Sequence, residues 1–344
     1  MRRLAFASAI FLAATAMADE QLLNDQLNAL GNEPVIRLLG NGFNGRLPGL
    51  TPDEVESSKS LRQHVKTLAT EIGERNLRES ENLQRTEVYI EDCLLKLGHT
   101  IERQTYKVDG VDCHNLIAQR QGATRPNEIV VIGAHYDSGL GTPGANDNGS
   151  GVAALLELAK RFSKSDLHRT LRLIFFVNEE PPYFQTDEMG SMVYARRCKE
   201  RKENITAVVS LETIGYYSDE EGSQNYPFPL GAIFPKTGNF IGFVGNVESG
   251  PLVQRVLTTF QKHVKFPSEG TSLPDAAQGI GWSDQWSFWK LGYPGVMVTD
   301  TAPFRYPHYH RPTDTPDKID YERVARVITG LTKITDDLVN NLEE

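Results

Sequence analysis

Four separate stretches of the chain run apolar and then end in a side chain that can bind a metal. They are EIVVIGAH, ending at His135; LRLIFFVNEE, ending at Glu179 and Glu180; TAVVSLE, ending at Glu212; and PGVMVTD, followed shortly by His310. In an open α/β sheet, ligands bind beyond the carboxyl ends of the strands, so groups far apart in sequence can meet in one pocket. The pattern predicts a hydrolytic metal site at that edge of a sheet.

Two aspartates lie close to these stretches. Asp137 follows His135 in AHYDS, and at an extended strand end the two side chains lie on the same side. Asp137 is therefore predicted to accept the second imidazole N–H and to fix the tautomer of a metal-bound His135. Asp147 lies in the glycine-rich segment PGANDNGSG, which taken alone is more typical of a turn with a helix N-cap. The segment matches neither a P-loop nor a dinucleotide-binding fingerprint.

Three further segments, each with acidic or histidine residues, complete the candidate site. Glu179 and Glu180 are adjacent carboxylates at a buried strand end, which are costly unless cations neutralise them. Their side chains point to opposite sides, which suits one metal ligand and one general base. Glu212, taken alone, is as typical of an exposed acid at a strand end as of a metal ligand. His308 and His310 face the same side of an extended segment, so spacing leaves open which one is a ligand.

Hydrophobic periodicity predicts the elements that carry these residues. Helices are predicted at 61–72, 83–97, 149–162, 189–199, 252–264 and 321–342, and strands at 102–108, 115–121, 128–134, 171–178, 205–211, 240–244 and 295–299. Alternation of buried strands with helices predicts an α/β fold with a mixed, mostly parallel central sheet covered by helices on both faces. Residues 216–238 and 265–285 lack periodicity and are predicted to be loops that line the site.

The N-terminal segment MRRLAFASAIFLAATAMA predicts a cleaved secretory signal at residues 1–18, because two arginines precede a short apolar run that ends in small residues. Residues 19–60 are predicted to form an N-terminal extension, and residues 61–344 one large domain. We therefore expect export to the periplasm or the extracellular space. No later stretch is long and apolar enough to predict a membrane-spanning helix.

The composition argues against several kinds of partner and site. A net charge of −9 and a pI near 5.5 argue against nucleic acid and anionic membranes, which are bound through clustered Lys and Arg. Cys93, Cys113 and Cys198 are too few for a disulfide framework, although one bridge stays possible. They are interpreted as small buried apolar residues because nothing nearby marks a nucleophile. Zinc ligation is disfavoured because no CxxC spacing occurs.

In these motifs the chain resembles the M28 family of zinc exopeptidases, which are aminopeptidases with co-catalytic metals. The resemblance runs from about Leu61 to the C-terminus and is carried by GAHYDS, PGANDNGSG, FVNEE, GSMVYA, SLETIG, SDQWSF with GYP, and HRPTDT. It implies a mixed sheet of about eight strands between layers of helices. It also implies a non-proline cis peptide after Asp147.

The resemblance implies a role for each site residue. The implied metal ligands are Asp147 as the bridge between two Zn²⁺ ions, Glu180 and His310 at one ion, and His135 and Glu212 at the other. Glu179 would be the general base. His310 rather than His308 is implied, because the family's ligand lies four residues before an Asp-Thr pair.

Three features are not settled by the resemblance. Glu212 stands where the best-known two-zinc aminopeptidases have Asp, so its longer side chain is expected to alter the spacing or affinity of that metal. Gln285 stands in SDQWSF where many members have His, which leaves recognition of the oxyanion and of the amine unassigned. The family's oxyanion tyrosine is also unassigned, and the candidates are Tyr216, Tyr217, Tyr226 and Tyr306.

The implied activity is hydrolysis of the first peptide bond of substrates with a free N-terminus, by water activated at two zinc ions with Glu179 as base. The alternatives are a carboxypeptidase or amidase of the same family, a glutaminyl-peptide cyclotransferase of similar fold that uses one zinc, and a non-catalytic receptor-like module. The intact His135 and the GANDNGSG turn favour two metals over the cyclase. A receptor-like module is disfavoured because every position keeps a competent residue.

Overall fold

The computed structural model describes residues 36–38, 42–227 and 230–341. The predicted signal at residues 1–18 lies outside the described residues, as does much of the predicted extension. Among the helices in the described ranges, none combines the length and the apolar character needed to cross a bilayer.

Helices and strands alternate along most of the described chain. The helices are α1 (Pro52–Lys66), α2 (Ser80–Lys96), α3 (Gly149–Phe162), α4 (Gly190–Glu200), α5 (Gly250–His263), α6 (Gln285–Lys290), α7 (Ala302–Arg305) and α8 (Tyr321–Asn340). The strands are β1 (Ile36–Leu38), β2 (Ile101–Val108), β3 (Val111–Arg120), β4 (Arg125–His135), β5 (Arg169–Phe176), β6 (Asn204–Glu212), β7 (Ile241–Asn246), β8 (Ser268–Leu273) and β9 (Gly295–Thr299).

Within the described ranges, nine strands form one sheet in the order β1-β8-β7-β9-β6-β4-β5-β3-β2. The four central strands β9, β6, β4 and β5 are parallel, and so is the pair β7 and β8. The other pairings described are antiparallel. The predicted mixed sheet is confirmed, with its parallel part concentrated at the centre. The ninth strand, beyond the eight expected, is the three-residue β1 at the edge.

Helices cover both faces of the sheet, as predicted. On one face α1, α3, α5 and α8 pack on the large core, to which the central strands contribute alternate residues such as Val130, Ile132 and Leu173. On the other face α4 and α6 cover a smaller core that includes Val131, Ile174 and Phe288. Because the central strands are buried on both faces, they are almost continuously apolar. This rigid sheet positions the site.

Several elements differ from the sequence prediction, among them the short helices α6 and α7, which it did not contain. Helix α1 begins at Pro52 rather than at residue 61, so the division drawn between residues 60 and 61 falls inside it. Thr51 and Glu54 form a capping box, and Pro52 occupies the first turn, where its missing N–H costs nothing. Strand β8 lies inside the segment 265–285 that was predicted to be irregular. Its sequence SEGTSL lacks the β-branched alternation of a strand, and pairing with β7 and β1 supplies what local propensity does not.

Candidate metal centre

The predicted site residues converge at the carboxyl edge of the central strands. His135 is the last residue of β4, Glu212 is the last of β6, and Glu179 and Glu180 follow the end of β5. These strands are parallel neighbours, so their carboxyl ends meet at one edge. The remaining two donors arrive on loops: Asp147 on the turn between β4 and α3, and His310 on the segment after β9.

His135, Asp147 and Glu212 form a first triad of metal-capable atoms. The Nε2 atom of His135 lies 3.4 Å from Asp147 Oδ1 and 3.2 Å from Glu212 Oε2. All three side chains are buried. The longer side chain of Glu212 therefore reaches the position expected of it, and Ser283 Oγ donates a hydrogen bond of 2.7 Å to the same Glu212 oxygen.

Asp147, Glu180 and His310 form a second triad. The Nε2 atom of His310 lies 3.0 Å from Asp147 Oδ2 and 3.1 Å from Glu180 Oε2. Asp147 thus turns one carboxylate oxygen to each triad, which is the arrangement of a carboxylate that bridges two ions. His310 is partly exposed while its partners are buried, so the second triad lies nearer to solvent.

The atoms of the two triads fit divalent cations. Both ring nitrogens of His135, Asp147 Oδ2 and Glu180 Oε1 are buried and make no hydrogen bond with any described residue. Buried polar atoms are almost always paired, so this cluster of unpaired atoms calls for a ligand. Imidazole nitrogens with carboxylate oxygens are a donor set that suits Zn²⁺.

In the protein without metal, protons on the two histidines balance the charge of the neighbouring carboxylates. Burial acts to lower the pKa of His135 and of His310, but the neighbouring carboxylates raise the pKa of His135 well above its usual value and that of His310 to about 11. Burial acts to raise the pKa of Asp147, and the two imidazoles nevertheless lower it. The histidines therefore hold protons that balance the carboxylates, and a metal must displace those protons in order to bind.

Glu179 belongs to neither triad but lies beside the first. Its Oε2 atom is 3.8 Å from His135 Nε2, and burial, with the carboxylates of Glu212 and Glu180, raises its pKa well above the ordinary value. A carboxyl group that can hold a proton and lies beside metal ligands is suited to proton transfer.

Asp137 has a wider role than the sequence indicated. Its Oδ1 atom lies 3.4 Å from His135 Nδ1, close to the predicted contact. Its two oxygens also accept the backbone N–H groups of Glu179 and Glu180, at 3.2 and 3.1 Å. Asp137 thus connects the corner after β5 to the histidine at the end of β4.

The turn that carries Asp147 is held by Asp314, a residue to which the sequence analysis gave no role. The two Asp314 oxygens accept the backbone N–H groups of Asn146 and Asp147 at 2.9 and 3.1 Å, and Tyr306 Oη donates to Asp314 at 2.7 Å. The Asp147–Asn148 peptide bond is cis, as the family resemblance implied. Asp314 is part of the motif HRPTDT, but the sequence alone does not show which backbone groups Asp314 contacts.

None of the four candidate tyrosines is placed by its contacts at the two triads. Tyr217, Tyr226 and Tyr306 donate their hydroxyls to Ile214 O, Pro235 O and Asp314 respectively, and Tyr216 packs against the Tyr306 ring. The tyrosine beside the site is Tyr309, whose ring stacks on His310 with 4.0 Å between centroids. Burial and the carboxylates of both triads raise the pKa of Tyr309 well above its usual value, so it remains a neutral hydroxyl donor.

Gln285 and the cysteines take no part in the triads. Gln285 is buried at the start of α6, and its amide donates to Ile280 O at 2.8 Å. The three cysteines are free; Cys113 and Cys198 are buried and Cys93 is partly exposed.

A parallel sheet centre whose carboxyl edge carries two metal-capable triads, joined by one carboxylate, is the architecture of a metal-dependent α/β hydrolase. Comparison with known proteins places the chain within that class. The profile of peptidase family M28 matches residues 115–335, which is more than half of the chain. The uncharacterized protein YfbL of Escherichia coli K12 is 34% identical over 284 residues, covering 80% of this chain and 86% of YfbL. The chain belongs to peptidase family M28.

Solved structures share the fold at lower sequence identity. BSAP, a zinc aminopeptidase from Bacillus subtilis, has a TM-score of 0.66 and 16% identity, covering 83% of this chain and 96% of BSAP. The glutaminyl cyclase of Fimbriiglobus ruber has a TM-score of 0.60 and 19% identity, covering 85% of this chain and 97% of the cyclase. Several other curated relatives are longer, and the chain spans between 52% and 56% of them.

Proposed function

We propose that the protein is an aminopeptidase that binds two divalent ions, Zn²⁺ in the first instance. His135, Asp147 and Glu212 would hold one ion, and Asp147, Glu180 and His310 the other. The observation that carries the proposal is the orientation of Asp147, whose two oxygens face one histidine each.

The chemistry divides between the ions and the protein. Bound divalent ions lower the pKa of water and polarise a carbonyl oxygen. Glu179, beside the first triad, takes the proton of the attacking water and delivers it to the leaving amine. Asp137 holds the backbone of Glu179 and so keeps its carboxyl group at the site. Tyr309 stacks on His310 and also lines a neighbouring cavity.

That cavity supplies the side-chain specificity that the sequence did not identify. It has about 770 Å³ of space including its open mouth, and Glu212 and Tyr309 line it at the metal end. The rest of its wall is predominantly apolar and aromatic, with Tyr226, Leu230, Phe234, Phe240, Trp282 and Phe304 among the lining residues. The side chain of the substrate's first residue is therefore expected to enter an apolar, aromatic pocket.

Substrates that begin with leucine or phenylalanine should be preferred to alanine by about 10- to 100-fold in kcat/KM, because burying a large apolar side chain contributes about 1.5–3 kcal/mol. The measurement compares aminoacyl anilides of leucine, phenylalanine, alanine, aspartate and lysine. Phe304→Ala removes a ring from the cavity wall and should reduce the leucine rate more than the alanine rate. A preference for lysine would instead assign the pocket to a cation held by Glu269, which lines the same cavity.

The same panel tests the end preference. N-acetylated leucyl anilide should be resistant, since the proposal requires a free amine. Its cleavage at the rate of the unblocked compound would favour the amidase alternative. The cyclotransferase alternative needs one metal, whereas both triads here contain a complete set of donors. Formation of pyroglutamate from glutaminyl peptides, without hydrolysis, would establish the cyclase instead.

A further inference from the structure

Arg75 is a fully buried arginine that the proposed chemistry does not use. It lies between α1 and α2, ahead of the residues that match the family profile. Arginine is rarely buried completely, because removing its charge from water is costly unless several partners satisfy it. Its partners therefore indicate why it is there.

The guanidinium of Arg75 donates to backbone carbonyl oxygens at two places in the single loop that joins β4 to α3. Nε donates to Tyr136 O at 2.7 Å, directly after the ligand position at residue 135. Nη1 donates to Pro143 O at 2.5 Å and Nη2 to Gly144 O at 2.7 Å, shortly before Asp147. A single rigid fork thus ties the start of the loop between β4 and α3 to the part of the same loop that leads to Asp147.

The backbone of Arg75 adds a second link to the same loop. Its N–H donates to Ser138 Oγ at 3.1 Å, and its carbonyl accepts the Ser138 N–H at 2.9 Å. The neighbouring Asn76 donates from its side chain to Ser138 O at 3.1 Å. The segment before α2 is therefore docked onto the loop that begins with the first histidine ligand.

Charge and donor geometry together favour arginine at this position. Burial lowers the pKa of Arg75 to about 10, opposed by the negative charge of Asp314, Asp137 and Asp147 in that order. The group stays protonated at neutral pH among these carboxylates. Lysine would keep the charge, but its single ammonium has no planar fork that reaches three carbonyl oxygens at once.

We propose that Arg75 is a positioning residue that holds His135 and Asp147 at ligand distance before any metal binds. The inference rests on the proposed metal site. Residues that orient metal ligands from behind typically contribute ~10- to 100-fold to metal affinity. Arg75 would do so through the backbone of the loop between β4 and α3 rather than through the ligand side chains.

The test measures Co²⁺ binding to the metal-free Arg75→Lys variant. Isothermal titration calorimetry gives the affinity, and the visible spectrum reports the coordination of the bound ion. We expect affinity to fall by ~10- to 100-fold and the spectrum to change, because the donors of the first triad are no longer held together. The matched control is Arg169→Lys. Arg169 is also buried and donates to the carbonyls of Leu338 and Asn341, at the opposite edge of the sheet. The Arg169→Lys variant should lose thermal stability without a change in cobalt affinity.

The outcomes separate the inference from the function on which it rests. If wild-type protein binds no cobalt, the proposed metal site fails. If wild type binds and Arg75→Lys binds equally tightly with the same spectrum, Arg75 has no positioning role. Should Arg75→Lys not fold, hydrogen exchange on metal-free wild type decides. Protection of the Arg75 Nε–H, which donates to Tyr136 O, supports preassembly when it is seen without metal, and protection that arises only when metal is added overturns it.

Discussion

Replacing Glu179 by Gln is expected to lower kcat by at least ~100-fold while metal binding is retained. The substitution keeps the size of the side chain and removes its capacity to take a proton. Glu179 is in neither triad, so neither set of donors is altered. Steady-state kinetics with leucyl anilide, together with metal analysis of the same preparation, measure both effects.

The adjacent residue provides the matched control. Glu180→Gln changes the same chemical group one residue later, but Glu180 is a donor of the second triad. It should weaken binding of one ion, and part of its activity should return at high zinc concentration. Full activity of Glu179→Gln, or its loss of metal in the manner of Glu180→Gln, would contradict the assignment of the base.

Replacing Asp147 by Asn is expected to reduce metal binding more than replacing Glu180 by Gln. An amide offers one oxygen, whereas the carboxylate of Asp147 turns an oxygen to each histidine, at 3.4 and 3.0 Å. We expect the content of bound zinc to fall and kcat/KM to drop by ~1000-fold, since co-catalytic ions contribute several kcal/mol of transition-state stabilisation.

An exposed aspartate separates this effect from a general change of charge. Asp166 lies in the loop before β5, at the amino ends of the central parallel strands. Asp166→Asn should therefore leave zinc content and activity unchanged. If Asp147→Asn retained two ions and wild-type kinetics, Asp147 would not be the bridge and the two-metal arrangement would need a different shared ligand.

Much of this site could be predicted because each donor ends a strongly patterned element. The runs before His135, Glu179 and Glu212 are almost continuously apolar, and a buried strand in a parallel sheet has this signature. Parallel neighbours must bring their carboxyl ends together, so convergence followed from the pattern alone. The choice of His310 over His308 came from the family motif instead, and the structure brings His310 to Asp147 and Glu180.

What could not be predicted depends on contacts between distant segments. Arg75 looks like any surface arginine in GERNLRES, and only the docking of its segment on the loop after β4 buries it. Tyr309 was overlooked between two histidines, because stacking on His310 is visible only in three dimensions. The sequence of strand β8 has a weak intrinsic preference for extended structure, and the strand forms because it pairs with its neighbours in the sheet. The capping box at Thr51, by contrast, was readable and would have placed the start of α1 correctly.

The proposed aminopeptidase requires two bound ions for hydrolysis. The most direct measurement of this requirement is a titration of metal-free protein with Zn²⁺, in which bound zinc, leucyl anilide hydrolysis and pyroglutamate formation from a glutaminyl peptide are followed together. We expect activity on the anilide to reach its maximum at two zinc ions per chain, with no pyroglutamate formed. Saturation at one ion, with pyroglutamate as the product, would contradict the two-metal aminopeptidase.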